Sequence, residues 1–259
     1  MTPHATALLR AILEGRQPLQ AHAQPVLGLR EMEPVAQEYL TRFTDPRGRL
    51  CSLADLDFVN LDDATRLEVD LLCLESTFKA MRDQVPSDRL HFINVEPMTL
   101  ESPRFWGKLQ GWLSDLQIPP LSVVVEFTES HGIHDLDLLQ NCAKSLRSHG
   151  LQLAVDDLGA GVASLTHMAR LAPDFIKADR SLVEQAHRRP YQAALLNALS
   201  VFAQRMCIGF IAEGIETAEE LQAVMDADVP WGQGFVFGQP QPLKVAPLWS
   251  ERRGTAPTL

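Results

Sequence analysis

The sequence predicts an α/β chain folded as a single (β/α)8 barrel. Three observations carry this. Short apolar runs alternate with helical segments about eight times, which over ~250 residues is the arithmetic of such a barrel. The runs are nearly continuous in apolar character, as in parallel strands covered on both faces. The chain has 259 residues of which 46% are hydrophobic, enough for one large core and too apolar for a disordered chain. A doubly wound open sheet is the alternative, weakened because no G-x-G-x-x-G turn follows the first strand.

The clearest strand segments are Leu90–Val95, Leu121–Glu126, Leu151–Asp156, Asp174–Lys177, Ile208–Glu213 and Gly232–Phe237. Weaker ones lie at 19–27 and 37–43. Between them, residues 64–82 carry Leu67, Leu71, Leu74, Phe78 and Met81, a spacing that keeps one helix face apolar. Ser102-Pro103 reads as an N-cap followed by proline in the first helical position. The helix it opens carries Trp106 and Trp112 as packing residues. Another helix spans 135–149, and Thr217-Ala-Glu-Glu220 has capping-box spacing. Residues 1–18 read as a helical lead-in, 19–248 as one barrel domain and 249–259 as a loose tail.

A formal net charge of −10 argues against general binding of DNA or anionic membrane. No run of 18 apolar residues and no signal-peptide core is present, so a cytoplasmic protein without membrane insertion is expected. Cys51, Cys73, Cys142 and Cys207 are scattered and read as buried small residues rather than a disulfide or zinc framework. His131 and His134 lack a third ligand of their kind and read as loop residues.

Chemistry gathers at the strand ends. The runs finish on or contain Asn94, Glu126, Asp156 with Asp157, Lys177, Glu213 and Gln233, and the weaker second strand offers Glu38. In a barrel these ends converge on one mouth. Seven carboxylates (Glu38, Glu126, Glu129, Asp156, Asp157, Glu213 and Glu216) then face only Arg42 and Lys177 as nearby cations. Such crowding is unfavourable unless divalent cations relieve it. Carboxylate donors and one amide favour Mg²⁺, Mn²⁺ or Ca²⁺ over Zn²⁺. Adjacent aspartates suit a pair of metals of the kind that hydrolyses phosphoesters, with Lys177 as a fixed positive charge. Gly159 and Gly161 either permit tight turns or form a movable loop beside that site.

Eight motifs in order resemble those of the EAL domain family, which hydrolyses cyclic di-GMP to linear pGpG. They are Gln24-Pro25-Val26, Glu38-Tyr39-Leu40-Thr41-Arg42, Asn94, Glu126-Phe-Thr-Glu129-Ser130, Asp156-Asp-Leu-Gly-Ala-Gly161 with Ser164-Leu165, Asp174-Phe-Ile-Lys177-Ala-Asp179, Ala212-Glu213-Gly-Ile-Glu216-Thr217 and Gln233-Gly-Phe-Val-Phe-Gly-Gln-Pro240. The likeness runs from about Leu19 to Pro240. It implies that Glu38, Asn94, Glu126, Asp156 and Asp157 hold two Mg²⁺ or Mn²⁺ ions, with Ca²⁺ binding but not supporting turnover. It implies that Lys177 and Glu213 orient or deprotonate water, with Glu38 also essential. Gln24, Leu40, Arg42, Gln233 and Pro240 would meet the substrate. Glu129, Glu216, Asp179, Gly159 and Gly161 would brace the surrounding loops. The resemblance further implies an antiparallel first strand, a homodimer through the loop after Asp157, and a partner protein supplying regulation.

The chain departs from the pattern at several places. Tyr39 stands in place of a small alanine and Thr41 in place of an apolar residue. Glu96 takes the usual serine position, and Leu158, Ala160 and Val162 replace Phe, Thr and Tyr. Tyr39 either narrows the site or fills a gap between barrel and helices. The altered residues are the support for an alternative, a cyclic di-GMP receptor that signals through protein contacts without cutting the nucleotide. An interaction role without nucleotide has no specific support.

Overall fold

The computed structural model describes residues 2–84, 88–128, 136–159, 168 and 170–243. Glu129, His131, His134, Gly161, the rest of the 160–167 loop and the expected tail at 249–259 lie outside these residues. A closed barrel is formed by eight strands: β1 (Gln20–Gly28), β2 (Glu33–Thr44), β4 (Leu90–Asn94), β5 (Val123–Thr128), β6 (Gln152–Leu158), β7 (Phe175–Ala178), β8 (Gly209–Ala212) and β9 (Trp231–Gln233). Two-residue strands β3 (Leu50–Cys51) and β10 (Gln241–Pro242) add to β2 and β1. β1 runs antiparallel to both its barrel neighbours, β2 and β9, and the remaining barrel pairs are parallel. The antiparallel first strand that the resemblance implied is therefore present.

Helices α1 (Pro3–Leu13), α2 (Asp63–Arg82), α3 (Pro97–Glu101), α4 (Pro103–Asp115), α5 (Leu136–Ser148), α6 (Arg180–Val183), α7 (Pro190–Met206) and α8 (Ala218–Asp226) surround the sheet. The local signals act as read. Ser102 accepts from Arg104 N–H ahead of Pro103, and Thr217 with Glu220 closes a capping box. In α2, Leu71, Leu74, Phe78 and Met81 are buried, and Phe78 stacks on Trp112 of α4 at 5.0 Å. Trp106 donates its indole N–H to Leu100 O at 2.8 Å, so both tryptophans hold helices together. Among the described residues no helix is long and apolar enough to cross a membrane.

Three expectations need correction. The weaker strand segments become the longest strands, of 9 and 12 residues. Their polar residues had obscured them. The last strand ends at Gln233 rather than running to Phe237, because Gly234 meets the Ile215 backbone. A Cβ at Gly234 would lie 2.1 Å from Ile215 O, and Phe237 N–H instead turns back to Gly234 O. Cys207 is exposed, in the left-handed C-cap of α7, whereas Cys51, Cys73 and Cys142 are buried as expected.

The barrel interior is layered. Val26, Ala36, Phe92, Val124, Ala154, Phe175 and Ile211, with Val35, Leu90 and Trp231 against them, form an apolar cluster to which every barrel strand contributes. Side chains alternate along a strand, so the next inward position is two residues on. Toward the mouth those positions are Gln24 (counted backward on antiparallel β1), Glu38, Asn94, Glu126, Asp156, Lys177, Glu213 and Gln233. A greasy plug thus supports a wholly polar tier.

Candidate active site

The polar tier is one connected network. Gln24 donates to Gly238 O at 3.0 Å, and Gln233 Nε2 donates to Gln24 Oε1 at 3.2 Å and to Glu38 Oε2 at 2.5 Å. Asn94 Nδ2 donates to Glu38 Oε1 at 2.9 Å. That bond fixes which end of the amide is left over: the Asn94 oxygen is free to ligate. Lys177 Nζ lies 2.5 Å from Glu213, 3.0 Å from Glu126, 3.5 Å from Glu38 and 3.7 Å from Asp156. One ammonium therefore faces four carboxylates, and its side chain is only 1% exposed.

The electrostatics follow from this imbalance. Burial works against the Lys177 charge, but Asp156, Glu126, Glu213 and Glu38 outweigh it and hold its pKa well above the usual lysine range. Burial also opposes the charge of Glu38, yet Lys177 and hydrogen bonds from Glu126, Asn94 and Gln233 keep its pKa low. Glu126 and Glu213 are pushed well above the ordinary carboxylate range, first by burial and then by neighbouring carboxylates, with Lys177 opposing. One lysine cannot neutralise this site.

Asp156 and Asp157 are adjacent, and in a regular strand they would face opposite sides. The β6–β7 register breaks between Val155 and Leu158, and Asp157 takes a left-handed φ of 59°. Asp157 N–H also bonds to Asp156 Oδ1 at 2.8 Å. The irregularity brings oxygens of Asp156, Asp157 and Glu213 within 4.8 Å of one another. Both Glu126 carboxylate oxygens are buried, with Lys177 Nζ 3.0 Å from Oε2 and the Glu38 carboxylate beside them. More buried carboxylates than one ammonium can pair, in an oxygen-only donor cluster, fit a hard divalent cation.

The remaining predicted residues divide. Leu40 and Arg42 line a cleft of about 440 Å³ that reaches from Asn94 and Glu126 to Tyr39 on β2 and Asp70 on α2. Pro240 follows Gly238, whose carbonyl holds Gln24. Glu216 pairs with Arg180, which also donates to Gly214 O, so Glu216 braces the loop that carries Glu213. Gly159 has φ +105°, and a Cβ there would lie 2.6 Å from Leu182, so the strand exit is tied to α6. Asp179 caps α6 by accepting from Ser181 N–H at 2.8 Å. Its bracing is thus local to a helix start.

Tyr39 resolves plainly. It lies on the outer side of β2, 2% exposed, with its hydroxyl 2.9 Å from His91 Nδ1 and accepting from Gln37 Nε2 at 2.6 Å. It fills the gap between barrel and helices. Burial raises the pKa of its hydroxyl above the ordinary tyrosine value. Leu158 is likewise buried in the outer core.

A polar group missed in the sequence sits beside Asn94. Glu96 forms an ion pair with Arg66 of α2, and Glu96 N–H bonds to Asp70 Oδ2 at 3.1 Å. Asp70 is buried, and burial lifts its carboxyl to about 7. A charged residue on the apolar-spaced helix was the available signal.

Comparison with known proteins agrees with this geometry. The EAL domain profile matches residues 5–240. Cyclic di-GMP phosphodiesterase PdeR of Escherichia coli is 30% identical over 249 residues, covering 94% of this chain and 37% of that protein. Cyclic di-GMP phosphodiesterase PdeA of Borreliella burgdorferi is 28% identical, covering 80% of this chain and 31% of that protein. The chain thus spans about a third of the length of these curated relatives. Among solved structures, Klebsiella pneumoniae BlrP1 in a calcium/cyclic di-GMP complex superposes with TM-score 0.79 at 29% identity, covering 88% of this chain and 57% of that one. PaMucR phosphodiesterase in complex with c-di-GMP gives TM-score 0.80 at 25% identity, covering 92% of this chain and 97% of that one. The match over nearly all of its length, with the motif residues gathered in one barrel tier, makes this chain a member of the EAL domain family.

Proposed function

We propose that the chain is a metal-dependent phosphodiesterase that hydrolyses cyclic di-GMP to linear pGpG. The observation that carries the reading is the polar tier, in which the Lys177 ammonium faces the four carboxylates of Glu38, Glu126, Asp156 and Glu213. Glu38, Asn94, Glu126, Asp156 and Asp157 would hold two divalent cations, Mg²⁺ or Mn²⁺. Such ions supply neutralising charge and lower the pKa of bound water. Gln233 and Asn94 fix the Glu38 carboxylate from opposite sides. Glu213, pressed against Lys177, is placed to take a proton from the attacking water, and Lys177 to hold that water or the phosphate oxygen. Water oxygen bonds to phosphorus, one P–O3′ bond breaks, and the proton passes to the leaving alkoxide. The products are a 5′-phosphate and a 3′-hydroxyl, the ends of pGpG. Arg42, Leu40 and Gln24 would position the nucleotide.

Ca²⁺ would bind without supporting turnover. A homodimer through the segment after Asp157, and a partner protein that sets activity, belong to the same reading. Sedimentation at several concentrations tests the dimer. The Tyr39 hydroxyl bonds to His91 on the far side of β2, while its ring borders the cleft, so the receptor alternative stays an outcome of the assay. Incubation with cyclic di-GMP, with Mn²⁺ or Mg²⁺ and with chelator, tests the assignment. Metal-dependent pGpG is expected, and intact nucleotide would overturn it.

A further inference from the structure

Asn94 must hold its amide nitrogen on Glu38 and its oxygen toward the cleft, yet it is the last residue of β4. Beyond a strand end the ladder no longer fixes the backbone. Here two bonds replace it. Val95 N–H donates to Glu126 O at 2.9 Å, on the β5 side. Glu96 N–H donates to Asp70 Oδ2 at 3.1 Å, on the α2 side. One turn before Asp70, Arg66 pairs with the Glu96 carboxylate, and both side chains are largely covered at 13% and 15% exposure. The Arg66 guanidinium also lies 5.7 Å from the Phe58 ring centroid. Asp70, Glu96, Asn94 and Glu126 line the same cleft.

A carboxylate buried on the packing face of a helix is costly and needs a compensating role. Asp70 meets the Thr99 side chain and bonds to Glu96 N–H, in the backbone that follows Asn94. We propose that Asp70 is a positioning residue for Asn94, holding the exit of β4 through Glu96 N–H, with the Arg66–Glu96 pair closing the same brace. This rests on the reading of Asn94 as a metal ligand. Residues that orient ligands without touching the metal commonly change its affinity about 10-fold or more.

The test uses the full chain carrying Asp70→Ala, Asp70→Asn and Arg66→Met. Asp70→Leu, which removes the acceptor and fills its space, stands in if the alanine variant does not fold. Two quantities are read: Mn²⁺ affinity by titration calorimetry, and amide exchange over residues 94–97. The alanine or leucine variant should lose about tenfold in Mn²⁺ affinity and exchange faster in that segment. The asparagine variant, whose amide oxygen still accepts from Glu96 N–H, should stay near wild type in both. Arg66→Met should fall between. Unchanged affinity and exchange in the acceptor-less variant, or an asparagine variant as impaired as it, would overturn the proposal. A wild-type chain that takes up no Mn²⁺ would overturn the metal reading instead. Exchange would then decide the brace alone: faster in the acceptor-less variant supports it, unchanged refutes it.

Discussion

Lys177 Nζ stands 2.5 Å from Glu213 and 3.0 Å from Glu126, at the centre of a barrel whose other tier is apolar. The ammonium occupies the place where the carboxylates are densest. Lys177→Met would leave the buried carboxylates without a counter-charge. Breaking such a set costs about 3–5 kcal/mol. We expect the variant to unfold at lower temperature without metal and to regain part of the loss in Mn²⁺. We expect hydrolysis to fall at least about 100-fold, the scale of losing one fixed electrostatic contact in an active site. Thermal melts with and without Mn²⁺, beside single-turnover assays, check both.

Tyr39 separates the enzyme reading from the receptor reading. Its hydroxyl bonds to His91 and Gln37 outside the barrel. Tyr39→Phe should destabilise the fold by about 1 kcal/mol, because the buried His91 nitrogen loses its shorter partner and keeps only Gln37 Nε2 at 3.3 Å. KM for cyclic di-GMP should stay within about twofold, because the ring that borders the cleft is kept and only the hydroxyl on His91 is lost. A large rise in KM without loss of stability would place Tyr39 in the site after all.

Asp70 gives a pH signature. Its carboxyl is raised from 3.8 to about 7 by burial, so the folded state binds the proton more tightly than the unfolded state. The stability it contributes is full below the unfolded value and is lost as pH rises from about 4 through about 7. The shift corresponds to at most about 4 kcal/mol. Asp70→Asn lacks this titration. Relative to wild type it should therefore gain stability between pH 5 and pH 8, as measured by urea unfolding. An equal difference at both values would contradict the argument.

Much of the site was legible because parallel strands covered on both faces are apolar almost throughout. A polar interruption at a constant offset near each strand end stands out against that background. Asn94, Glu126, Asp156, Lys177 and Glu213 are such interruptions, and each lies two residues beyond an apolar plug residue. β1 and β2 were weaker because polar residues occupy both faces: Gln24 and Glu38 inside, Gln37 outside in the Tyr39–His91 network. The early end of β9 depends on Gly234 approaching a backbone 19 residues earlier in sequence, which no local pattern reports. The same is true of the Arg66–Glu96–Asp70 brace. Its members come from α2 and the β4 exit, and each alone reads as an ordinary charged residue.

The most direct test is to incubate the pure chain with cyclic di-GMP and Mn²⁺ and to separate the nucleotides by chromatography, with a chelated control and a Glu38→Gln variant in parallel. We expect pGpG from the wild-type chain with metal, and none from either control. Cyclic di-GMP recovered intact from wild type with Mn²⁺, while bound to the protein, would contradict the catalytic claim and make the barrel a receptor.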